Sequence, residues 1–352
     1  MRIVITGASG NLGSALVRRL EGDGHDLVGI SRRAPENTAA NIEWVTADLT
    51  EDSAVPVLRD AFAGADAVVH LAWGFQPSHD LAYLEELGVG GTRRVLEAAT
   101  AASVPHLVHM SSVGAYSPRQ SDHPVDESWA RDGVPTSPYS QHKAAAERLL
   151  DAHEQVEPDL SITRIRPGII GQRRAGSSLL RYGVPAVVPS KVLELVPVLP
   201  LDRGLKIPMV HADDVADAVE RVLVGRVGGA FNLAADPPVT TDRIAEVLGA
   251  RPVHVPARLV RAAMAGAWHA RLQQVDPGWL DLGFASPLLD TTRASQELGW
   301  SQSVDGVTVF REIVGGMRGA ASDDTPVLRR RSVVGSLRDA VRRGPVSARH
   351  RP

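Results

Sequence analysis

The chain has 352 residues, 43% of them hydrophobic and 22% charged, with a formal net charge of −3 and no cysteine. Without cysteine there is no disulfide, no thiolate metal site and no cysteine nucleophile, which fits a reducing cytoplasm. The small net charge gives no electrostatic reason to expect nucleic acid or an anionic membrane as partner. The apolar run after Arg2 ends within a few residues at a glycine turn, so it reads as a first strand and not as a signal peptide. No stretch is long and apolar enough to span a bilayer. The nearest, 184–201, is broken by Pro185, Pro189, Pro197 and Pro200 and carries Lys191 and Glu194.

Short β-branched runs at 3–5, 27–30, 68–71 and 107–110 read as strands buried on both faces. Between them Leu12, Leu16 and Leu20 repeat at helical spacing, as do Val95, Leu96 and Ala99. Strand and helix in alternation mean βαβ units and a parallel sheet. A further strand at 161–166 runs straight into Pro167-Gly168. From Gln172 prolines become frequent and the alternation fades, until a helix at 212–224 and a strand at 230–233. Thr240-Thr241-Asp242 reads as the cap of a helix bearing Ile244, Val247 and Leu248. The expected division is 1–171 for a nucleotide-binding unit, 172–318 for a substrate lobe with 207–234 returning to the sheet, and 319–352 for a tail. That tail is basic, with Arg329-Arg330-Arg331, and reads as disordered apart from one short helix near 333–341.

Gly7, Gly10 and Gly13, interleaved with Ser9, Asn11 and Leu12, follow the first strand and open the first helix. That strand–turn–helix context lets backbone approach a pyrophosphate at a helix N-terminus, where free N–H groups and the dipole favour an anion. The reading is an α/β, Rossmann-type doubly wound parallel sheet with a smaller C-terminal substrate-binding lobe. Enzymes using NAD place a carboxylate at the end of the second strand for the ribose hydroxyls. Here Ser31 is followed by Arg32 and Arg33, whose guanidinium groups suit a 2′-phosphate, so NADP is expected over NAD. The alternative is that both arginines are solvated loop residues. Alone, Asp48 reads as a turn or capping residue.

Tyr139 and Lys143 lie four residues apart, on one helix face. A free tyrosine, with pKa about 10, is a poor base at neutral pH, and a nearby ammonium favours its phenolate. Ser111 and Ser112 close the apparent fifth strand, at the end of a parallel sheet where ligands bind. No metal site is expected: Asp213 and Asp214, beside His211, read as helix caps. His70 reads as a core histidine, and His142 as a surface one. Arg173, Arg174, Arg203, Arg258 and Arg261 are each equally explicable as solvated charges or as a grip on a substrate phosphate.

The segments 7–13, 70–72, 110–116, the Tyr139/Lys143 pair, 166–171 and 210–215 occur in an order that resembles the NAD(P)-dependent epimerase/dehydratase proteins, the extended short-chain dehydrogenases, over about residues 1–315. The resemblance implies Ser112, rather than Ser111, as catalytic serine, Tyr139 as acid/base and Lys143 as its partner. It also implies cofactor contacts at Asp48, Leu49, Leu71, Ala72 and Pro167, and dimerisation through two long helices. Two departures stand out. Gly88 occupies the place of a usual asparagine in 86–92, so a helix-borne proton relay lacks its side chain. Val113 and Gly114 follow Ser112 where dehydratases carry an acidic pair, which disfavours elimination of water. The function implied is a cytoplasmic NADP-dependent oxidoreductase interconverting a hydroxyl and a carbonyl on a small-molecule substrate. A nucleotide-sugar epimerase with retained NAD, and a non-catalytic NADP-sensing regulator, are the alternatives.

Overall fold

The structure, a computed structural model, describes residues 1–35, 41–75, 78–183 and 196–330. The first half alternates: β1 (Arg2–Thr6), α1 (Asn11–Leu20), β2 (Asp26–Ser31), β3 (Ile42–Thr46), α2 (Ala54–Phe62), β4 (Ala67–His70), α3 (Leu81–Glu85), α4 (Gly91–Ala101), β5 (His106–Met110), α5 (Pro138–Val156) and β6 (Ser161–Pro167). A π-helical turn, Glu86–Gly90, joins α3 to α4. The second half holds β7 (Ile169–Gly171), α6 (Gly176–Gly183), β8 (Val198–Leu201), β9 (Lys206–His211), α7 (Ala212–Gly225), β10 (Gly229–Leu233) and β11 (Ala235–Thr240). It continues with α8 (Thr241–Leu248), β12 (Arg251–His254), α9 (Ala257–His269), α10 (Gly278–Ala285), α11 (Thr292–Leu298) and α12 (Gly306–Arg318).

Among the described residues the main sheet has seven strands in the order β10-β6-β5-β4-β1-β2-β3, each pair parallel. This is the doubly wound arrangement that continuous apolar strands require, because helices cover both faces. One face packs Ile3, Ile5, Val69 and Val108 against α1 and α7. The other packs Val4, Val28, Val68 and Leu107 against α2 and α4. Strand order reverses between β1 and β4, and ligands of open α/β sheets bind beside the strand ends at such a point. Ser137 caps α5 by accepting from the Ser140 N–H, and Pro138 stands in its first turn. The position of Tyr139 and Lys143 over the ends of β4 and β5 follows from this start.

Of the stretch 207–234, α7 packs on α1 and β10 joins β6, whereas β9 pairs with β7 and β11 in a separate three-stranded sheet. Apolar strands look alike in sequence, and long-range pairing decides which sheet each enters. The lobe core gathers Met209, Val239, Ile244, Val309 and Ile313. Residues 319–330, expected to begin a disordered tail, are docked. Ser177 donates its N–H to the Ala321 carbonyl at 2.8 Å, and Arg181 donates to the carbonyls of Val327 and Arg329. Leu328 is fully buried, and Asp323 pairs with Arg18 and Arg174. The helix expected at 333–341 lies outside the described residues. No helix among them is long and apolar enough to cross a membrane.

Candidate functional site

The glycine turn is shaped for an anion. Gly7 has φ +72°, and a Cβ at Gly13 would stand 2.3 Å from the Gly7 carbonyl oxygen, so the first turn of α1 can close on the loop only without side chains there. No side chain caps α1, which leaves its terminal N–H groups to a ligand. Ser9 is buried in the turn, and the Leu12 side chain belongs to the core. The Asn11 amide does not point into the groove: it donates to the Ile170 carbonyl at 3.1 Å and accepts from Gln172 at 2.9 Å, tying β7 to the turn. Leu71 and Ala72 run along the other wall, their N–H groups donating to the carbonyl and hydroxyl of Thr6. Pro167 is buried where β6 ends. These residues fit a dinucleotide's pyrophosphate.

At the end of β2, Arg32 donates to the Tyr83 hydroxyl while Arg33 is exposed. Burial of its guanidinium, then the neighbouring charges of Arg329 and Arg32, hold the Arg33 pKa below its ordinary value. Three like charges thus converge where a 2′-phosphate is expected, and the third comes from the docked C-terminal segment. Asp48 accepts from the N–H and hydroxyl of Thr50 at 3.1 and 2.8 Å and so closes a turn. Leu49 is buried, its carbonyl receiving Arg94 at 3.0 Å.

Ser112, Tyr139 and Lys143 come together at the ends of β4 and β5. Tyr139 and Ser112 meet over Gly114, where an added Cβ would stand 3.0 Å from the Tyr139 ring and 3.3 Å from Ser112 Oγ, and Ser112 Oγ accepts from the Gly114 N–H at 3.0 Å. Lys143 Nζ donates to the Met110 carbonyl at 2.8 Å and sits 3.4 Å from the Trp73 ring centroid. Burial pushes the Tyr139 phenol up to about 12, against which the Ser112 hydrogen bond pulls down. Burial also holds the Lys143 ammonium well below its ordinary range, with Glu147 opposing. Lowering of the tyrosine pKa by Lys143, the expectation from their spacing, is thus outweighed by burial. The ammonium faces a carbonyl and an indole, and desolvation of the phenolate outweighs the remaining lowering effect.

Sequence reasoning missed the third residue on this face of α5. Glu147 is fully buried and receives Arg166 through two bonds, 2.8 Å at Oε1 and 2.6 Å at Oε2. It also receives Ser111 at 2.5 Å and Arg131 at 2.9 Å. Burial alone would raise its pKa, yet the hydrogen bonds and charge of Arg166 hold it down to about 2. Ser111 is thereby committed to the interior, and Ser112 faces Tyr139. The i, i+4, i+8 run of Tyr139, Lys143 and Glu147 was the available signal.

Aromatic rings line the same end of the groove. Trp73, Phe75 and Trp279 each lie against Tyr139. A Cβ at Gly88, in the π-helical turn, would stand 2.8 Å from the Trp73 ring, so the missing asparagine makes room for the indole. His109, fully buried beside Trp73 and His70, has no hydrogen-bond partner at either ring nitrogen. His70 is a core residue: burial, then the Lys143 charge, takes its pKa to about 3. It bonds Thr6 Oγ1 at 2.7 Å and Thr92 Oγ1 at 3.2 Å.

The remaining candidates stand elsewhere. His142 is half-buried on α5. His211, not either aspartate, caps α7 by accepting from the Asp213 N–H. Asp214 instead receives the Ser303 and Val304 N–H groups, and its carbonyl receives the Trp300 indole. Arg261 is bound to Asp281. With Arg119 and Arg258 it lines a cavity of about 560 Å³ beside α9 and α10.

The model of the NAD dependent epimerase/dehydratase family matches residues 3–234. An uncharacterised protein of Mycobacterium tuberculosis is 26% identical over 321 residues, covering 91% of this chain, and the chain spans 30% of that relative's length. UDP-glucose 4-epimerase of Mycolicibacterium smegmatis is 31% identical over 317 residues, 86% of this chain and 94% of that protein. Among solved structures, the UDP-glucose 4-epimerase of Thermus thermophilus in complex with NAD has the same fold. Its TM-score is 0.68 at 24% identity, over 91% of this chain and 100% of that one. With the family model matching well over half its length, the chain belongs to the NAD-dependent epimerase/dehydratase family of extended short-chain dehydrogenases.

Proposed function

We propose that the protein is an NADP(H)-dependent oxidoreductase interconverting a carbonyl and a hydroxyl on a small molecule. The observation that carries this reading is the meeting of Ser112 and Tyr139 over Gly114 at the strand ends, with Lys143 one helical turn along and the glycine turn beside it. The bound cofactor supplies the hydride, given to or taken from the substrate carbon. The first turn of α1 and Gly7, Gly10 and Gly13 hold the pyrophosphate, with Ser9, Asn11 and Leu12 contributing backbone. Arg32 and Arg33 take the 2′-phosphate. Asp48, Leu49, Leu71, Ala72 and Pro167 border the nucleotide.

Tyr139, protonated at neutral pH, gives its hydroxyl proton to the substrate oxygen in the reducing direction and takes it back in the oxidising one. Ser112 holds that oxygen through its hydroxyl. Lys143, one turn along α5, would hold the nicotinamide ribose. Val113 and Gly114 offer no acid or base, so elimination of water is not part of the reaction.

Fluorescence titration with NADPH and NADH tests the cofactor, and Tyr139→Phe tests the chemistry. The expected result is preference for NADPH, lost in the Arg32→Ala/Arg33→Ala double variant. Tyr139→Phe is expected to lower kcat by about 10²- to 10⁴-fold with NADPH affinity unchanged. Because the phenol pKa is raised, carbonyl reduction is expected to hold steady across neutral pH, whereas alcohol oxidation rises as pH climbs toward about 12. A second reading, an epimerase that retains NAD, is favoured by the likeness to UDP-glucose 4-epimerase. NAD released only on denaturation, with no preference for NADPH, would select it.

A further inference from the structure

Four aromatic side chains meet at the reacting end of α5. The Trp279 ring, from α10, has its centroid 4.9 Å from that of Tyr139 and is tilted by 32°. Phe75 stands edge-on to both, 5.7 Å from Tyr139 and 5.1 Å from Trp279. Trp73 closes a further side at 6.4 Å. Phe75 is 41% exposed, so this aromatic cluster keeps one apolar ring open to solvent. The two halves of this wall come from different parts of the molecule: Trp73 and Phe75 follow β4, and Trp279 belongs to a lobe helix packed on α5.

The wall's polar inventory is small. Trp73, Phe75 and Trp279 together offer two indole N–H donors and no acceptor beyond π faces. Of the nearby hydroxyls, Ser111 is taken by Glu147, and Ser112 and Tyr139 are reserved for the reacting oxygen. A ring bearing several hydroxyls, brought to Ser112 and Tyr139 against this wall, sets hydroxyls against faces that offer few partners, which is unfavourable. A carbonyl flanked by an apolar group leaves none, and an aryl group adds the edge and offset contacts that these side chains already make with one another.

We propose that the substrate is a ketone or secondary alcohol whose reacting carbon carries an aryl or bulky alkyl group. That group packs against the joined rings of Phe75 and Trp279, and Trp279 determines specificity. The assignment rests on the oxidoreductase reading of Ser112 and Tyr139. In the full-length protein with NADPH, acetophenone is expected to exceed butanone in kcat/KM by at least about tenfold. Trp279→Ala should bring the two together through KM, at unchanged NADPH affinity, and Trp279→Phe should restore the preference.

Binding is also read without turnover, from quenching of tryptophan fluorescence by acetophenone. The midpoint should move to higher ketone concentration in Phe75→Ala, a variant that leaves all six tryptophans in place. Reduction with no preference for acetophenone overturns the proposal, and so does a midpoint indifferent to Phe75. A midpoint that shifts in Phe75→Ala, in a protein that reduces neither ketone, keeps the aromatic clamp and sinks the oxidoreductase reading.

Discussion

Glu147 shows how one side chain couples the catalytic helix to the sheet. Its carboxylate is buried, held by Arg166 from β6, Arg131 and Ser111. Its folded pKa of about 2 lies below the ordinary carboxylate value of 4.5. A depressed carboxylate contributes stability that is fully present above the unfolded value and is lost as pH falls through the folded one. The protein is therefore expected to lose this contribution between about pH 4.5 and pH 2. Glu147→Ala, which strands the Arg166 charge, should cost about 3–5 kcal/mol. Glu147→Gln should cost less and flatten that acid limb. Thermal unfolding of the three proteins between pH 2 and pH 7 checks both. Glu147 was hard to read from sequence because its partners are a strand residue and two loop residues, joined to it only by the fold. The glycine turn and the Tyr139/Lys143 pair were legible because their geometry is local. Asn11 opens α1, and its bonds to Ile170 and Gln172 reach across the chain and have no local signature.

Among the elements, the π-helical turn at Glu86–Gly90 and the loop after β4 form one unit. An exposed helical glycine replaced by alanine normally gains about 1 kcal/mol. At Gly88 the sign should reverse, since the added Cβ meets the Trp73 ring at 2.8 Å. Moving that indole also strips the Lys143 ammonium of its ring contact. Gly88→Ala is therefore expected to destabilise, and to do so much less in a Trp73→Phe background. A double-mutant cycle should give a coupling of about 1 kcal/mol or more, measured by denaturant unfolding, and zero coupling refutes the account. The departure at Gly88 was visible in the sequence, but not its partner. Nothing in the local pattern says that a tryptophan fills the space. The core strands were legible from their apolar runs, whereas the pairing of β9 with β7 was not, because β9 is as apolar as the strands of the main sheet.

At the scale of the molecule, composition misjudged residues 319–330. A polar, basic average hid Leu328, whose burial, with the Arg181 and Asp323 contacts, docks the segment onto α6 and α1. A cut at residue 171 would divide the main sheet. β10 lies at the edge of the main sheet, with Phe231 opposite Ile165 in register with β6, and it is contributed after much of the lobe. A fragment 1–171 should expose the backbone edge of β6 and self-associate, which light scattering beside the full chain would report. The same pairing has a temporal consequence. As the chain leaves the ribosome, β6 is complete long before its neighbour exists, so the sheet waits with one side open while the lobe between them is translated. The growing chain is most vulnerable to wrong partners during that interval, and β10 is the strand whose arrival ends it.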